Sequence, residues 1–494
     1  MDDRDYEIVD AHPSLYNEDL APLKPSSRKW GWFEIFNVWS NDIQSLFGYT
    51  LAATLFVGSG LNGWWVFAGI LVAGVIVMGL VNLTGKPSVR YGIPYPVMAR
   101  AAMGVRGANF PALVRGIVAI FWYGVQTYFA STAVAMLLYA IFGGEEGASF
   151  LGLTAVDWIA YLFVSAFQVA LFMRGIEWIT KFLNWAGPLV YAVMILLALY
   201  IWYAAGNDLF VSLGDIFAPA EGESGGLLAF LGVVGTMIAY FAAVIINYGD
   251  FSRFVKSERQ MMFGNFMGLP VSLAIFSFLA MWITAGTTAI FGVTLTNPAE
   301  MVAQTDSILL TLIAALTFFG ATVGINLVAN FIPPAYDLAN LAPSRISART
   351  GGFITAGVAF FIGALWVSAI SEMGIAVFVD TLGAVLAPLF GILVADYYLV
   401  HRARLNLADL YASPPKGEYF YDGGWNKRAM IAFAIAGVFS VATVHVPALG
   451  ALSGFAWLLG AALGGGLHVW MMRDRMALIR AGGTPGTESA APAE

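Results

Sequence analysis

The sequence predicts an all-α integral membrane protein with twelve transmembrane helices, and three observations support this prediction. Of its 494 residues, 59% are hydrophobic and 11% are charged, whereas a soluble domain carries about 25% charged residues. The hydrophobic residues form continuous runs that reach the roughly 20 residues a helix needs to cross a bilayer. With twelve runs counted, all 24 lysines and arginines fall on one side of the membrane. The composition excludes a soluble enzyme and a disordered chain, and the net charge of −7 argues against a nucleic-acid binder.

The twelve hydrophobic runs are too long and too continuous for the strands of a β-barrel, which alternate with a period of two over about ten residues. We number them as spans 1 to 12. They cover residues 33–58, 62–84, 111–142, 156–173, 182–204, 227–248, 264–290, 305–332, 352–370, 374–400, 428–446 and 451–472.

The basic residues predict the orientation of the chain, because cytoplasmic loops carry an excess of lysine and arginine. Every basic residue lies in the N-terminal tail, in the C-terminal tail, or in or at the edge of a junction that follows an even-numbered span. The junctions on the other side hold acids, such as Glu145, Glu146, Asp208, Asp215, Glu221, Glu223, Glu300 and Glu372. We therefore expect a multi-pass protein of the plasma (inner) membrane with both termini in the cytoplasm.

Several kinds of chemistry lack the residues they need. The chain has no cysteine, which excludes a disulfide, a thiolate metal site and a cysteine nucleophile. The four histidines lie outside the middle of any span, which argues against a histidine relay or a buried multi-histidine metal site. No phosphate-binding P-loop is present, so ATP is not expected to drive the protein, and no cofactor is expected.

Span 1 carries an unusual cluster of polar residues about ten residues below the membrane entrance. Ser40, Asn41, Asp42 and Gln44 lie within the segment WSNDIQSLFGYT. Polar side chains are costly in hydrocarbon, and such a cluster is typical of locally unwound backbone around a binding site. Hydrogen bonds between helices are the alternative explanation.

Spans 3 and 8 each place two polar or aromatic residues one helical turn apart, on one face of the helix. Trp122 and Gln126 form the pair in span 3, and Asn326 and Asn330 form the pair in span 8. An amide offers both a donor and an acceptor, which matches the edge of a uracil-like or hydantoin-like ring, and a tryptophan face can stack on a flat ring. Ordinary packing between helices is the alternative for each pair.

Spans 1, 3, 6 and 8 together indicate an internal repeat. Span 6 contains Tyr240 and Phe241, and its polar turn 247–250 can interrupt the helix. The two irregular spans, 1 and 6, are five spans apart, and so are spans 3 and 8, which carry the residue pairs. An odd offset reverses the orientation, so five helices repeat in inverted form, an arrangement that places a binding site near the bilayer midplane.

The repeat divides the chain into predicted segments. The two repeats are spans 1–5 and spans 6–10, and the Gly-, Pro- and Ala-rich C-terminal tail is expected to be disordered. The segments are a cytoplasmic N-terminal tail (1–30), the first repeat (31–205), the second repeat (206–400), a cytoplasmic loop (401–427), spans 11 and 12 (428–472) and the C-terminal tail (473–494).

At these residues the chain resembles the nucleobase:cation symporter-1 family, which includes hydantoin, allantoin, uracil and cytosine transporters. The likeness extends over more than 90% of the chain and implies a leucine-transporter-like fold, with a 5+5 inverted repeat followed by two C-terminal helices. The segments that carry it are VRYGIPYPVMARAAMGVRGANFPALVRG (89–116), FWYGVQTY (121–128), NYGDFSRF (247–254), NLVANFIPPAYDLAN (326–340) and ADYYLVHRARLNLADLY (395–411).

The resemblance implies which residues bind substrate. In hydantoin-type members, a span-3 tryptophan stacks on the substrate ring, and amides of spans 1, 3 and 8 hydrogen-bond it. The matching residues are Gln44, Trp122, Gln126, Asn326 and Asn330. Span 6 departs from the family's Gly-Trp pair and has Tyr240 and Phe241 instead, of which Phe241 is expected to stack.

The cation-coupling positions depart further from the family. Sodium-coupled members use carbonyl oxygens of spans 1 and 8 and two adjacent hydroxyl side chains in span 8. The matching positions are Ser40, Ile43, Ala321, Gly324 and Ile325. The last two replace the hydroxyl residues, so a sodium site is depleted of oxygen. A carboxyl taken out of water can carry a proton, and we hypothesise proton coupling through Asp42, with Asp380 in span 10 as a second candidate.

The sequence therefore favours a cation-coupled symporter that imports a small planar nitrogen heterocycle by alternating access and acts as a monomer. An amino-acid or other small-solute carrier on the same fold is the alternative, although the acidic turn in span 1 disfavours an anionic substrate. An intramembrane enzyme would need a catalytic cluster or metal ligands inside the spans, and the sequence shows none. A channel would differ in being insensitive to ion gradients.

Overall fold

The computed structural model describes residues 3–143, 148–217, 226–296, 301, 307–412 and 417–480. Within these ranges the regular structure is helical, and pairing between extended segments is limited to three isolated bridges. The predicted all-α class is confirmed. The predicted external acids Glu145, Glu146, Glu221, Glu223 and Glu300 lie outside the described residues.

Nine helices in the described residues are long and apolar enough to cross a membrane. Span 9 is a tenth if its two halves, Ala348–Ala364 and Trp366–Met373, bent by 55°, are taken as one. The count of twelve stays a prediction, because spans 1 and 6 are interrupted. The nine helices are Gly63–Tyr91 (span 2), Asn109–Phe142 (span 3), Ala155–Met173 (span 4), Ile176–Ala205 (span 5), Glu258–Phe291 (span 7), Ile308–Leu341 (span 8), Ile375–Val400 (span 10), Lys427–His445 (span 11) and Pro447–Met471 (span 12).

Span 1 is interrupted at the polar cluster, as predicted. Its first half is the helix Trp32–Ile43 and its second half is Leu46–Gly58. The second half begins where the Ser45 hydroxyl accepts a hydrogen bond from the backbone N–H of Gly48, at 3.0 Å. Serine is a favoured residue at this position because its short side chain reaches the free N–H groups of the first turn.

Span 6 is interrupted in two places. The helix Leu227–Tyr240 ends at Phe241, and Ala242–Asn247 continues from there. The predicted interruption at the polar turn is also present, because Ala242–Asn247 stops before Tyr248 and a short helix, Gly249–Ser252, follows. The break nearer the membrane centre is therefore at Phe241, which the polar pattern did not indicate.

Smaller helices complete the description. Tyr95–Met103 lies between spans 2 and 3, and Asp208–Phe217 follows span 5. The first eight residues of the predicted disordered tail, Arg473–Arg480, form a helix, contrary to the prediction for that stretch. The remainder of that tail lies outside the described residues.

The N-terminal tail packs across one end of the helical bundle. The Asn17 side chain donates to the carbonyls of Pro343 and Ile346, in the junction between spans 8 and 9. Two residues further along the tail, the main-chain carbonyl of Asp19 accepts a hydrogen bond at 3.1 Å from Arg253, which follows span 6. The tail thus contacts both the span 6 side and the span 8 side of the protein.

A buried ionic cluster joins span 10, the 401–427 loop and span 12. The Asp396 carboxylate lies 2.9 Å from His401 Nδ1 and 2.8 Å from His468 Nε2. Glu418 lies beside the same histidine, with its Oε1 3.6 Å from His401 Nε2, and Arg475 lies 3.6 Å from that Oε1. The positions of the histidines along the chain gave no sign of this meeting, because they are 67 residues apart in sequence.

The stability of this cluster is expected to depend on pH. Burial lowers the pKa of His401, but the adjacent Asp396 carboxylate outweighs it, and the net pKa is raised above 6.5. The ion pair therefore contributes stability that is fully present below pH 6.5 and is lost as the pH rises through the raised value. We expect the melting temperature of the native protein in detergent to fall as the pH rises from 6.5 through the raised pKa of His401.

The variant His401→Asn removes the titrating group, so its melting temperature is expected to lack this component of the pH dependence. His445→Asn is the matched control, because His445 is exposed and contacts Thr381 instead. An identical pH dependence in His401→Asn and the native protein would contradict the assignment.

Candidate functional site

Four aromatic side chains meet where the interruptions of spans 1 and 6 face span 3. The ring of Trp122 lies 5.9 Å from that of Tyr240, edge to face. Phe47 of span 1 contacts both, at 5.0 Å from Trp122 and 6.1 Å from Tyr240, with its plane within 6° of the tyrosine plane. Phe378 of span 10 lies 5.2 Å from Trp122. We call Phe47, Trp122, Tyr240 and Phe378 the aromatic box.

Phe47 and Phe378 were not predicted from the sequence. Phenylalanine is common in membrane helices (the chain has 37), so neither residue stands out from the apolar background of its span. Spacing along one helix also cannot show that span 10 reaches the site. In the described residues, the span-6 ring that faces Trp122 belongs to Tyr240.

Phe241 packs on the far side of the break, fully buried against Trp39 at 6.0 Å and against its neighbour Tyr240 at 4.8 Å. The structure therefore does not bring the predicted stacking partner opposite Trp122. Its role in stacking stays a prediction, whereas the geometry favours Tyr240 and Phe47 for that role.

Two glutamines in the helices of the box are buried and carry amide atoms without a close hydrogen bond. Gln44 and Gln126 are 1% and 2% exposed. Within the described residues, neither amide atom of Gln44 meets the distance and angle limits of a hydrogen bond, although the Tyr191 hydroxyl lies beside this amide, and Oε1 of Gln126 has no partner either. Leaving such atoms unpaired is costly in an apolar interior, so a ligand with donors and acceptors on its edge gains free energy by satisfying them.

The two asparagines of span 8 differ in what they have left to offer. The Asn326 amide nitrogen lies within 3.0 Å of the Tyr123 carbonyl, the Thr127 hydroxyl and the Gln168 carbonyl oxygen. Its own oxygen accepts from Asn330 Nδ2 at 3.1 Å. The amide of Asn326 is thus paired with protein groups on both its nitrogen and its oxygen, and it holds Asn330 in place. Asn330 is therefore the better placed of the two to bind a ligand. A π-helical segment, Asn326–Phe331, carries both residues.

The cation-coupling positions are all buried, but the space beside span 8 is occupied by span 1. The Asn41 Oδ1 atom lies 2.5 Å from the point that a Cβ on Gly324 would take. The Asn41 amide is fixed there, because its nitrogen donates to the carbonyls of Asn37 at 2.8 Å and Leu183 at 3.2 Å. Position 324 therefore has no room for the hydroxyl side chain of a sodium-coupled relative.

The remaining cation positions provide few oxygens. The hydroxyl of Ser40 faces that of Ser272 at 3.4 Å, and the Ser40 carbonyl accepts the N–H of Gln44 at 3.0 Å. Among the described residues, no three His, Asp or Glu side chains meet in a geometry for metal binding. The roles predicted for Ile43, Ala321 and Ile325 stay predictions.

Asp42 lies at the end of the first half of span 1 and is 6% exposed. Its partner is Tyr240, whose hydroxyl lies 2.9 Å from the Asp42 carbonyl oxygen and 3.1 Å from carboxyl Oδ1. In the described part of the chain, no lysine, arginine or histidine lies within ion-pair distance of this carboxyl. Asp380 is only half-buried and lies beside Thr236 of span 6.

Interrupted helices that surround a buried aromatic and amide site inside a polytopic bundle are the arrangement expected of a membrane permease. A family model described as "Permease for cytosine/purines, uracil, thiamine, allantoin" matches residues 22–463. The chain belongs to this family, which confirms the resemblance seen in its sequence.

Individual relatives and a solved structure agree with this assignment. The allantoin permease of Bacillus subtilis (strain 168) is 33% identical over 466 residues, which are 93% of each chain. The purine-uracil permease NCS1 of Arabidopsis thaliana is 31% identical over 92% of this chain and 75% of the relative. The structure of Mhp1, a nucleobase-cation-symport-1 family transporter in a closed conformation with bromovinylhydantoin bound, superposes with a TM-score of 0.78 at 24% identity, over 94% of this chain and 96% of that one. This likeness confirms the predicted fold class.

The close approach of spans 1 and 8 gives a stability prediction. In Gly324→Ala, the added Cβ would lie 2.5 Å from Asn41 Oδ1 and 3.2 Å from the Leu183 side chain. Overpacking of this kind costs about 1–3 kcal/mol, so we expect a lower melting temperature in detergent.

Gly320→Ala is the matched control, one turn earlier in the same helix. Its Cβ would meet only Ala186, at an ordinary 3.8 Å, and alanine extends a helix better than glycine. Equal melting temperatures of the two variants would show that Asn41 does not fill this space.

Proposed function

We propose that this permease is a cation-coupled symporter that imports a small planar nitrogen heterocycle, such as a nucleobase, a hydantoin or allantoin. The observation that carries the proposal is a set of buried amide atoms without a close hydrogen bond, both of Gln44 and Oε1 of Gln126, in spans 1 and 3 that carry rings of the aromatic box. Flat faces for stacking and an edge of unmatched donors and acceptors are complementary to a heterocycle. The names of the relatives, which are permeases for allantoin and for purines and uracil, support the same substrate class.

Binding requires a ring of the box to move. Phe47, Trp122 and Tyr240 contact one another, so a flat ligand reaches Gln126 only when one of them gives way. Phe47 is the candidate, because it lies in the first turn of the second half of span 1, next to the interruption. Trp122 is in the middle of an unbroken helix and stays in place.

Alternating access follows from how the site is divided. Gln44, Phe47 and Tyr240 belong to the interrupted spans 1 and 6, whereas Trp122, Gln126 and Asn330 belong to the spans 3 and 8 that support them. We infer that spans 1, 2, 6 and 7 move against spans 3, 4, 8 and 9, and that span 10 gates the outer side through Phe378. The protein acts as a monomer in the plasma membrane, with both termini in the cytoplasm.

The coupling ion is proposed to be a proton carried by Asp42. A buried carboxyl without a basic partner is costly to keep ionised, and it gains a proton when the site opens to the more acidic side. Sodium is disfavoured, because it needs several oxygen ligands and position 324 has no room for a hydroxyl.

Ligand binding is tested by thermal stabilisation of the purified protein with uracil, cytosine, hydantoin, allantoin and, as a contrast, neutral amino acids. We expect stabilisation by at least one heterocycle and by no amino acid, since a ligand that binds only the folded state raises its melting temperature. Trp122→Ala and Gln126→Leu are expected to weaken that binding about tenfold or more, or about 1.4 kcal/mol.

Trp185→Ala is the control for these variants, because Trp185 is exposed on the membrane face of span 5. Stabilisation by an amino acid and by no heterocycle would instead support a solute carrier of another class.

Coupling is tested in proteoliposomes with an imposed pH gradient. Asp42→Asn cannot take up a proton, so we expect it to exchange labelled substrate across the membrane but to lose accumulation driven by the gradient, by about tenfold or more. The variant Asp380→Asn is measured in the same way. If it still accumulates substrate while Asp42→Asn does not, the coupling proton is assigned to Asp42. Accumulation by Asp42→Asn at the native level, or a requirement for sodium, would refute the proton proposal.

A further inference from the structure

Tyr240 belongs to two parts of the site at once. Its ring is a wall of the aromatic box, parallel to Phe47 and edge to face with Trp122. Its hydroxyl leaves the box and ends between the main-chain carbonyl and the carboxyl of Asp42, at 2.9 Å and 3.1 Å. A single rigid side chain thus connects the heterocycle site with the carboxyl proposed to carry the coupling proton.

The residues around the Tyr240 hydroxyl leave room for it beside Asp42. Gly48, the third residue of the helix that starts after the interruption of span 1, has no side chain there, and a Cβ would lie 3.1 Å from the Tyr240 hydroxyl. The Ser45 hydroxyl lies 3.3 Å away and is already an acceptor for the Gly48 N–H. The phenol is therefore enclosed by oxygens of span 1.

The groups around Asp42 leave Tyr240 as its titratable partner. Among the described residues, the side chains that face this turn from other elements are uncharged. They include Tyr240 from span 6, Thr322 from span 8, Ser272 from span 7 and Tyr191 from span 5, which packs against Ser40, Gln44 and Ser272.

We propose that Tyr240 is the positioning residue that couples protonation of Asp42 to heterocycle binding. This inference rests on the proposed function. A phenol has one proton to donate. When Asp42 is ionised, the phenol donates to Oδ1. When Asp42 is protonated, the acid O–H donates to the phenolic oxygen, and the phenol proton turns to the Asp42 carbonyl, which is already in reach.

The two states hold the tyrosine ring differently, because its oxygen is drawn toward the carboxylate in one and toward the main chain in the other. The ring is also a wall of the box, so the protonation state changes the shape presented to the heterocycle. Linkage then makes the effect reciprocal: the factor by which protonation strengthens heterocycle binding equals the factor by which the heterocycle strengthens proton binding. Symport needs this factor to exceed one.

The experiment measures the dissociation constant of the stabilising heterocycle for the purified full-length protein at pH 5.5 and pH 8. The native protein is expected to bind at least about tenfold more tightly at pH 5.5. Tyr240→Phe keeps the ring and removes the hydroxyl, so its affinity at pH 5.5 is expected to stay within about threefold of native and its pH dependence to disappear. Tyr123→Phe is the control, because that buried hydroxyl makes no hydrogen bond within the described residues and its pH dependence is expected to be native.

A double-mutant cycle separates positioning from a merely structural role. Asp42→Asn is expected to bind independently of pH, and adding Tyr240→Phe to it is expected to change nothing further. Tenfold pH dependence of heterocycle binding in Tyr240→Phe would overturn the inference. Equal loss of affinity at both pH values would also overturn it, because Tyr240 would then only shape the binding site.

The same data distinguish failure of the wider proposal. A native protein that binds no heterocycle refutes the proposed substrate class, and one that binds heterocycle without pH dependence refutes proton coupling, whatever Tyr240→Phe does. If Tyr240→Phe fails to fold, 3,5-difluorotyrosine placed at position 240 keeps the ring and the hydroxyl but makes it a stronger donor to the carboxylate. The pH midpoint of binding is then expected to move to lower pH, and an unchanged midpoint overturns the inference.

Discussion

A helix can be interrupted inside a bilayer only if the backbone groups that the interruption frees find partners in the protein. The rest of this structure depends on how that requirement is met in span 1. The Ser45 hydroxyl takes the N–H of Gly48, the Thr322 hydroxyl of span 8 takes the N–H of Leu46, and the Tyr240 hydroxyl reaches the carbonyl of Asp42. Three side chains from three spans therefore hold one break, and the binding site forms where they converge.

The same constraint explains why the site can both recognise and move. Residues of span 3 and span 8 gain rigidity from a saturated hydrogen-bond network, in which Asn326 is bound by Tyr123, Thr127 and Gln168. Both amide atoms of Gln44 and Oε1 of Gln126 make no such close hydrogen bonds within the described residues. The amides that look alike in the sequence thus divide into one that stabilises the scaffold and two that are available to a ligand.

The sequence predicted the fold class and the elements of the site because polar residues are costly in hydrocarbon and therefore stand out. Asp42, Gln44 and Gln126 were found in this way. Phe47 and Phe378 could not be, since apolar side chains are the background of every span and their meeting depends on how distant helices pack. The Asn41 side chain fills the space that a side chain at position 324 would take. This packing depends on how two helices meet, and neither residue indicates it alone.

The N-terminal tail adds a mechanical consequence. Its residues 17–21 are fastened to the junction of spans 8 and 9 through Asn17 and to the end of span 6 through Arg253. These two anchor points lie on parts that the proposed alternating-access motion would separate. The tail therefore links span 6 to the junction of spans 8 and 9, and any motion that separates these parts must also break its hydrogen bonds.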